Sequence, residues 1–350
     1  MKACVLHGIG DLRYEDAPMP EIADDEVLLR IRAAGICGSD VPRVFTKGTY
    51  RFPTIPGHEF AGEAVRVNDG DEPFLGGRFA VFPLLPCFTC DACADGEYQQ
   101  CRDYDYYGSR RDGAFAEYIA VKKWNLVAIP DGVSFEEAAM AEPCAVALHA
   151  LKRFGVVGGD AVAVFGAGTI GLLIGQAARA WGADKVVLFD VDGKKIEFAK
   201  SIGFEHAVNS AAADPAEYIM SLTDGKGADL CLDAAGVPQA VGGAIRVASR
   251  SGKLVLMGNP SGDIIIPQKT YWEILRRQLT LKGTWNSSYG GGDGGGRKDD
   301  DWTLALDGVR DGVFDLKPLI THRFALAECG EAFRVASDPS EFSVKVMFIN

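Results

Sequence analysis

The stretch from residue 37 to residue 59 contains the residue types from which catalytic zinc sites are built. It begins with CGSD at Cys37 and ends with GHE, which contains His58 and Glu59, so a thiol, an imidazole and carboxylates lie close to glycine and proline. A catalytic zinc takes three protein ligands and leaves one position open for water or substrate. Cys37 and His58 are too far apart for one helical face, so two loops must supply them, and a third ligand must come from elsewhere.

A second cluster, with the spacing C-x2-C-x2-C-x7-C, consists of Cys87, Cys90, Cys93 and Cys101. Four thiolates at this spacing can close a tetrahedral site without an open position, which is typical of structural zinc. An iron–sulfur cluster is the alternative, but its usual bacterial spacing ends in a shorter gap followed by proline, whereas Arg102 follows here. The spacing therefore favours a structural zinc site.

The third ligand of the catalytic site has two candidates in a helical pattern that begins at residue 134. Glu142 is an acid among apolar residues and directly precedes Pro143, a residue type favoured at helix starts. We interpret Glu142 as the third ligand. A carboxylate that stabilises the helix N-terminus is the structural alternative, and Cys144 is the rival ligand.

The elements that would position a cofactor lie between residues 161 and about 283, where strand and helix patterns alternate. Six strands with crossover helices predict a doubly wound parallel sheet. The predicted strands are 161–165, 185–190, 206–208, 229–232, 253–257 and 279–282. Residues 1 to about 130 instead show short β-type runs separated by glycine, proline and aspartate, which predicts a mostly antiparallel domain.

The first predicted parallel strand runs directly into the sequence GAGTIG, which includes Gly166, Gly168, Thr169, Ile170 and Gly171. In such a turn the first two glycines allow a tight bend and close approach of a pyrophosphate, and the third permits helix–sheet packing. The N-terminus of the helix that follows favours negative charge. This context predicts a dinucleotide site.

Asp190, at the end of the second predicted parallel strand, indicates which dinucleotide binds. A carboxylate there can accept hydrogen bonds from both ribose hydroxyls and would repel a 2′-phosphate, which favours NAD over NADP. Lys194 and Lys195 weaken this preference, since a nearby cation could receive a phosphate. Lys195 is also a candidate to bind the ribose.

The composition indicates the broad class of protein. At 350 residues the chain is too long for one ordinary core, and two domains are expected. A formal net charge of −12 argues against general binding to nucleic acid or to a membrane surface, so small molecules are the expected partners. The first apolar run is too short for a secretory signal, and the clustered cysteines suit metal sites in a reducing compartment, so a cytoplasmic location is expected.

Taken in order, these motifs resemble the zinc-dependent medium-chain dehydrogenases, in particular their polyol branch, and the resemblance covers the whole chain. It implies a mostly-β GroES-like catalytic domain over residues 1–147 and 284–350 and a six-stranded Rossmann domain over residues 148–283. It also implies NAD and two zinc ions per chain. The structural zinc would be held by the four clustered cysteines. The catalytic zinc would be held by Cys37, His58 and Glu142. Glu59 would be either a fourth ligand or a residue that contacts the ligands without binding the metal.

The resemblance further implies oxidation of a secondary hydroxyl of a sugar alcohol or sugar-alcohol phosphate to the ketose. Ser39 would pass the proton outward, while Ala235, Met257 and Trp285 would lie beside the cofactor or the substrate. Alternative substrates are an unphosphorylated polyol, a diol or a hydroxy amino acid. A non-catalytic nucleotide-binding zinc protein is less favoured, because the ligands and Ser39 are all present. The family is usually dimeric or tetrameric, so a homo-oligomer is expected.

A basic stretch between residues 41 and 57 contains Arg43, Lys47 and Arg51 and no acid. Arginine is well suited to binding phosphate, so these residues are candidates to bind a phosphorylated substrate. A solvated basic face is the equal alternative. Arg110 and Arg111 are further candidates on the same grounds.

Two features near the end of the chain carry weaker predictions. The glycine-rich segment from Gly290 to Gly296, broken only by Asp293, is either a mobile lid or a flexible surface connection. The acidic run at residues 299–301 is expected to be a solvated turn. Neither feature is needed for the zinc and cofactor predictions.

Overall fold

The computed structural model describes residues 1–68, 70–291 and 300–350 and divides the chain into two compact units. The first unit consists of Met1–Ala145 and Ser287–Asn350, and the second is Val146–Asn286. Most of the predicted Gly290–Gly296 loop lies outside the described residues, so its role stays a prediction. Within the described parts of the chain, no helix is long and apolar enough to cross a membrane.

The strands and helices are numbered in chain order. The strands are β1 (Lys2–Gly8), β2 (Asp11–Asp16), β3 (Glu26–Ile36), β4 (Glu59–Arg66), β5 (Arg78–Val81), β6 (Leu84–Leu85), β7 (Asp105–Tyr106), β8 (Tyr118–Lys122), β9 (Leu126–Ala128), β10 (Ala161–Phe165), β11 (Lys185–Asp190), β12 (His206–Asn209), β13 (Ala228–Asp233), β14 (Ala248–Leu256), β15 (Thr280–Gly283), β16 (Ile320–Phe324) and β17 (Lys345–Ile349). The α-helices are α1 (Asp40–Pro42), α2 (Asp91–Ala94), α3 (Phe135–Ala139), α4 (Ala141–Lys152), α5 (Thr169–Ala180), α6 (Gly193–Ser201), α7 (Pro215–Leu222), α8 (Pro238–Val247), α9 (Gln268–Arg277), α10 (Asp301–Arg310) and α11 (Cys329–Ser337).

The first unit is built around a mostly antiparallel sheet. Among the described residues its strand order is β16-β17-β3-β4-β5-β9, and β8 also pairs with β3. The central strand β3 supplies Val27, Leu29 and Ile31 to the core, and each of them is fully buried. Alternate residues of a strand point to one face of its sheet, so these three side chains pack together on one side. Near the chain terminus, β17 pairs antiparallel with β3 and brings the last residues beside the first half of the chain.

Within the first unit, an aromatic cluster packs the C-terminal segment Ser287–Asn350 against the N-terminal segment Met1–Ala145. The ring centroid of Phe82 lies 4.9 Å from that of Tyr289 and 5.6 Å from that of Trp302. Trp124 contacts Tyr289 at a centroid distance of 5.3 Å, and the Tyr289 hydroxyl donates to the carbonyl of Leu126. Buried aromatic side chains remove much apolar surface from water, so this cluster stabilises the chain's return.

Two aspartates at the start of α10 differ from the sequence prediction. Asp300 and Asp301 are buried, and the Asp300 carboxylate accepts a hydrogen bond from the backbone N–H of Thr303 as the helix N-cap. Asp301 accepts one from the backbone N–H of Ser288 at 2.6 Å. The predicted solvated turn is therefore wrong at these positions, because both carboxylates are buried and accept hydrogen bonds from backbone N–H groups. Asp299 lies outside the described residues.

The second unit contains a parallel sheet whose order, within the described residues, is β12-β11-β10-β13-β14-β15. The strand β10 is buried along its whole length, which agrees with an apolar run covered on both faces. Helices connect most successive strands, and the order reverses between β10 and β13. The predicted doubly wound fold is thus confirmed, and so is the mostly-β partner domain.

Candidate metal centres and cofactor site

The antiparallel pairing of β3 and β4 explains how Cys37 and His58 come together. Cys37 directly follows β3, and His58 directly precedes β4, so both lie at the same end of the strand pair. Gly35 is the register partner of Glu59. The ligand atoms of Cys37, His58 and Glu59 all lie within 4.8 Å of one another, which is close enough for one metal ion to contact all three.

Asp40 orients the imidazole of His58. Its Oδ1 lies 3.3 Å from His58 Nδ1, so Nε2 is the nitrogen left for a metal ion. Asp40 is fully buried, and it accepts hydrogen bonds from the backbone N–H of Cys37 and from Arg43 Nη1. Burial alone would raise the pKa of Asp40, but attraction by His58 and Arg43 outweighs burial and lowers it to about 2. The carboxylate is therefore ionised when it supports His58.

Ser39 is placed next to the same centre. Its hydroxyl donates to Cys37 Sγ at 3.3 Å and accepts a hydrogen bond from Arg43 Nη1 at 2.9 Å. These two contacts fix the side chain of Ser39. A hydroxyl held in this way can exchange a proton with a group bound at the adjacent position.

Lys345 is a member of the site that sequence reasoning missed. Its ammonium group lies 2.5 Å from Glu59 Oε2 and 3.3 Å from the carbonyl oxygen of Ile36, and both side chains of the ion pair are buried. The partners are 286 residues apart in sequence. A lysine in an otherwise apolar strand, KVMFI, was the available signal, since buried lysines are rare unless paired.

Glu142 lies in the first turn of α4 and is 8% exposed. Burial raises its pKa to about 7, Glu59 adds to this effect, and His58 opposes it. Glu142 is thus electrostatically part of the site, but the compact three-ligand group consists of Cys37, His58 and Glu59. Cys144 is fully buried and lies outside that group.

The four clustered cysteines converge in the first unit. Their Sγ atoms approach one another at 3.5 Å for Cys90 and Cys93, 3.9 Å for Cys90 and Cys101, and 4.0 Å for Cys87 and Cys93. Sulfur atoms bound to one tetrahedral zinc at about 2.3 Å are separated by about 3.8 Å. The arrangement therefore fits a single ion better than a multi-atom iron–sulfur cluster. The distances also exclude disulfides, whose sulfurs are bonded at about 2 Å.

The glycine turn of the second unit follows β10 and opens α5. Gly166 has a φ of +113°, which favours glycine. A Cβ atom at Gly171 would lie 1.8 Å from the carbonyl oxygen of Gly166, so glycine is required for α5 to begin this close to the turn. A Cβ atom at Gly168 would meet nothing within 4 Å. Thr169 and Ile170 complete the first turn of α5, whose N–H groups can bind a pyrophosphate.

Asp190 ends β11 and is fixed beside this turn. Its Oδ2 accepts from the backbone N–H of Ala167 at 2.8 Å, and its Oδ1 accepts from the backbone N–H of Asp192 at 2.9 Å. Lys195 lies in α6 and is half-buried. The structure thus brings the carboxylate and the glycine turn together, as a dinucleotide site requires.

Ala235 and Met257 follow the carboxyl ends of β13 and β14, next to the position where the strand order reverses. Ligands of doubly wound sheets bind in the crevice at such a switch point. The buried Asp233, which sequence reasoning missed, organises this edge. It accepts from the N–H of Ala235 through its side chain and from the N–H of Met257 through its carbonyl oxygen. Burial raises the pKa of Asp233, and the N–H donors oppose this rise.

Comparison with known protein families finds a matching family model for a large part of each unit. The family model described as alcohol dehydrogenase GroES-like domain matches residues 23–131, and that described as zinc-binding dehydrogenase matches residues 169–301. The chain belongs to the zinc-binding dehydrogenases. This membership confirms the predicted reaction class, and it agrees with the two groups of potential zinc ligands found among residues 1–68, 70–291 and 300–350.

Individual relatives of this zinc-binding dehydrogenase cover nearly its full length. Galactitol 1-phosphate 5-dehydrogenase of Escherichia coli is 38% identical, over 95% of this chain and 96% of the relative. Sorbitol dehydrogenase of Bacillus subtilis is 33% identical, over 99% of this chain and 96% of the relative. The crystal structure of galactitol-1-phosphate dehydrogenase from Escherichia coli superimposes with a TM-score of 0.91 at 38% identity and covers 100% of both chains. The predicted likeness to the polyol branch is therefore confirmed.

The predicted substrate residues of the dehydrogenase lie in different environments. Arg43 is committed to Asp40 and Ser39. Arg51 pairs with Asp112 at 3.1 Å, whereas Lys47 is exposed. Trp285, in the second unit, is also exposed.

Proposed function

We propose that this chain oxidises a secondary hydroxyl of a sugar alcohol or sugar-alcohol phosphate, with NAD as hydride acceptor. The observation that carries the proposal is the compact group of Cys37, His58 and Glu59, supported from behind by Asp40 and Lys345. Similarity to galactitol 1-phosphate 5-dehydrogenase and to sorbitol dehydrogenase supports a polyol substrate.

Each residue of the site has a distinct part in this mechanism. Zinc, when bound, supplies Lewis acidity that lowers the pKa of a substrate hydroxyl, and the nicotinamide accepts the hydride. Cys37, His58 and Glu59 would hold the metal. The buried Glu142, which interacts electrostatically with His58 and Glu59, is proposed as a further ligand. Ser39 would accept the hydroxyl proton and pass its own proton outward, by way of the cofactor ribose, to water. We assign the role of a second, structural zinc site to the four clustered cysteines.

The choice of NAD is supported by Asp190. Its carboxylate is fixed by two backbone N–H groups beside the glycine turn, where the adenosine ribose of a bound dinucleotide lies in this fold. A 2′-phosphate would meet this negative charge. Lys195 is proposed as a ribose ligand, and Ala235 and Met257 are proposed to border the nicotinamide half of the cofactor.

An unphosphorylated polyol is the second candidate substrate. The likeness to sorbitol dehydrogenase favours it, and a diol or hydroxy amino acid is compatible with the same zinc chemistry. A non-catalytic nucleotide-binding role has less support, because the ligand group is complete and Ser39 lies 3.3 Å from Cys37 Sγ.

The test is NADH formation by the zinc-loaded protein with matched substrates, galactitol 1-phosphate against galactitol and sorbitol. We expect oxidation of at least one polyol, and we expect the activity to be lost in Ser39→Ala with NADH binding retained. Substitution of NADP for NAD should lower kcat/KM. Absence of turnover with every polyol, by protein shown to contain two zinc ions and to bind NADH, would contradict the proposed function.

We further propose a cytoplasmic homodimer or homotetramer. The strand β15 lies at the edge of the six-stranded sheet of the described residues, and α9 exposes Tyr271, Trp272 and Leu275. An exposed edge strand beside an apolar patch is suited to pairing with a second copy of itself. The cytoplasmic location rests on the clustered free thiols, which suit a reducing compartment.

Light scattering coupled to size exclusion tests this assembly. The double variant Trp272→Glu, Leu275→Glu adds two negative charges to the patch of each chain, or four per dimer. Repulsion between these charges should shift the measured mass toward that of the monomer. Glu331→Gln on α11, in the first unit, provides an exposed control that should not change the mass. A monomeric wild type, or an unchanged mass in the double variant, would contradict the role of this patch.

A further inference from the structure

Most of the arginines predicted to bind phosphate are already neutralised by carboxylates. The pairs are Arg43 with Asp40 at 2.8 Å, Arg51 with Asp112 at 3.1 Å and Arg111 with Asp105 at 2.7 Å. Arg110 forms no ion pair with any residue that the structure describes. An arginine without a carboxylate partner carries a positive charge that no neighbouring anion compensates, so it can attract an incoming anion more strongly. Arg110 therefore differs from its neighbours in electrostatic state, although it lies in the same short segment.

Two tyrosine rings hold the guanidinium of Arg110. Its central carbon lies 4.5 Å from the ring centroid of Tyr50 and 4.3 Å from that of Tyr104. Its Nη1 donates to the carbonyl oxygen of Tyr104 at 2.9 Å. Stacking against aromatic rings orients a guanidinium without neutralising it, and leaves edge N–H groups for bidentate recognition of phosphate. Tyr50 is 73% exposed, so this stacked cation lies at a surface that a ligand can reach.

The segment that carries Arg110 packs directly against the candidate metal centre. A Cβ atom at Gly108 would lie 2.3 Å from the carbonyl oxygen of Gly57, the residue before His58. The Tyr106 ring contacts the His58 ring at a centroid distance of 5.7 Å, and the Tyr104 ring lies 6.1 Å from the Tyr106 ring. Contacts of 4.3 to 6.1 Å thus lead in three steps from His58 to Arg110.

We propose that Arg110 binds the phosphate of a phosphorylated sugar alcohol and thereby selects it over the free polyol. This inference rests on the proposed function, since it requires a polyol hydroxyl at the centre formed by Cys37, His58 and Glu59. An extended polyol separates a terminal phosphate from a hydroxyl near its other end by several carbon atoms. The row of ring contacts connects His58 to Arg110 within one unit of the chain. Tyr50 and Tyr104 act as positioning residues for the guanidinium.

The test compares wild type with Arg110→Met and Arg110→Gln, using galactitol 1-phosphate and galactitol as paired substrates with NAD. Loss of a charge-assisted, bidentate contact should raise KM for galactitol 1-phosphate on the order of 10- to 100-fold. The kcat for that substrate and the kcat/KM for galactitol should change less than about twofold, because phosphate binding is remote from the hydroxyl. Arg110→Lys should recover part of the affinity, since lysine keeps the charge but not the bidentate geometry.

Arg13→Met is the charge-matched control. Arg13 is an exposed arginine of β2 in the same unit and is already paired with Asp11, so its replacement should leave both substrates unaffected. Zinc content and thermal midpoint are measured for every variant. Titration calorimetry of galactitol 1-phosphate with the zinc-loaded, NADH-bound protein gives a readout independent of turnover, and affinity should fall by the same factor as KM rises.

The outcomes separate the two proposals. If wild type oxidises neither substrate nor any other polyol, the proposed function fails. If wild type prefers galactitol 1-phosphate but folded Arg110→Gln has an unchanged KM for it, the inference about Arg110 is overturned while the function stands. A preference of wild type for free galactitol also overturns the inference. Because Arg110→Met could loosen the tyrosine stack, Arg110→Gln, with its planar amide, is the decisive variant if the two disagree.

Discussion

At the scale of single residues, the candidate catalytic centre depends on side chains that hold the candidate ligands but lie outside the group of ligands themselves. Asp40 fixes the ring orientation of His58, and Lys345 holds one oxygen of Glu59. Both supporting residues are buried and charged, so each is expensive to desolvate unless its partner is present. Their positions suggest that ligand orientation in this site is set before zinc binds.

The first prediction concerns Asp40→Asn, which keeps a hydrogen-bond acceptor for His58 but removes the charge. Zinc affinity of the catalytic centre should fall about 10- to 100-fold, since partners of a metal-ligating histidine typically contribute this much. Competition with a chromophoric chelator measures the affinity. Asp16→Asn, at an exposed position of β2, is the control. Equal zinc affinity in wild type and Asp40→Asn would show that Asp40 does not support the ligand.

The second prediction concerns Lys345→Met. This change leaves the Glu59 carboxylate buried without its cation, and breaking such a pair costs about 3 to 5 kcal/mol. The thermal midpoint of the zinc-free protein should drop, and zinc loading should recover part of the loss because the metal supplies positive charge. The double variant Lys345→Met with Glu59→Gln should unfold at a higher temperature than Lys345→Met alone. Lys2→Met, at the surface, should not shift the midpoint.

At the scale of elements, the candidate catalytic metal centre and the candidate cofactor site both lie where strands or helices begin or end. The antiparallel pair β3 and β4 places Cys37 and His58 at one end of the sheet, while the buried strand β10 delivers the glycine turn to α5. The strand–turn–helix arrangement around the glycine turn could be predicted from the sequence, because its strand, glycines and helix are contiguous in the chain. The pairing of β3 with β4 involves residues farther apart, and its register comes from the folded sheet.

The third prediction uses two glycines of this turn that meet different surroundings. Gly171→Ala would place a Cβ atom 1.8 Å from the Gly166 carbonyl oxygen, so it should lower the thermal midpoint and NADH affinity together. Gly168→Ala meets no protein atom within 4 Å and has a φ of −78°, so it should fold normally. Its methyl group should nevertheless weaken NADH binding, because the pyrophosphate approaches the backbone closely here. Fluorescence titration with NADH and thermal unfolding distinguish the two effects, and equal thermal midpoints for the two variants would contradict the predicted clash.

At the scale of the whole molecule, the part of the chain that the structure describes carries two groups of potential metal ligands, for which we propose different roles. The four cysteines of residues 87–101 offer no position for a substrate if all four bind, whereas Cys37, His58 and Glu59 leave one or more positions open. The first group should therefore contribute to stability and the second to activity.

The fourth prediction compares Cys101→Ser with Cys37→Ser by metal analysis, thermal unfolding and activity. Wild type should contain two zinc ions per chain, and each variant should contain one. Cys101→Ser should lower the thermal midpoint, because binding energy of a structural zinc contributes to folding. Cys37→Ser should lose activity with a smaller change in the midpoint. Two tightly bound zinc ions in Cys101→Ser would contradict the assignment of the four-cysteine group.

The sequence alone determined the features whose parts are close together in the chain. The four cysteines span fifteen residues, and the glycine turn is bounded by its own strand and helix. Spacing was therefore sufficient to predict that the four thiols converge and that the turn joins a strand to a helix. The zinc-binding dehydrogenase family followed from the order of these motifs. The prediction of a solvated turn at Asp300 and Asp301 was wrong. A run of acidic residues in the sequence does not show which backbone N–H groups will bind the carboxylates in the fold.

Only the tertiary structure decided which distant residues complete the site. Lys345 reaches Glu59 across 286 residues, because β17 pairs with β3 beside β4. The sequence offered Arg110 and Arg111 equally as candidates to bind phosphate. In the folded chain Arg111 pairs with Asp105, whereas Arg110 contacts the rings of Tyr50 and Tyr104 and has no carboxylate partner among the described residues. The physical reason is the same in both cases. The charge state and orientation of a side chain depend on its neighbours in space, and those neighbours are set by strand register and loop packing rather than by local spacing.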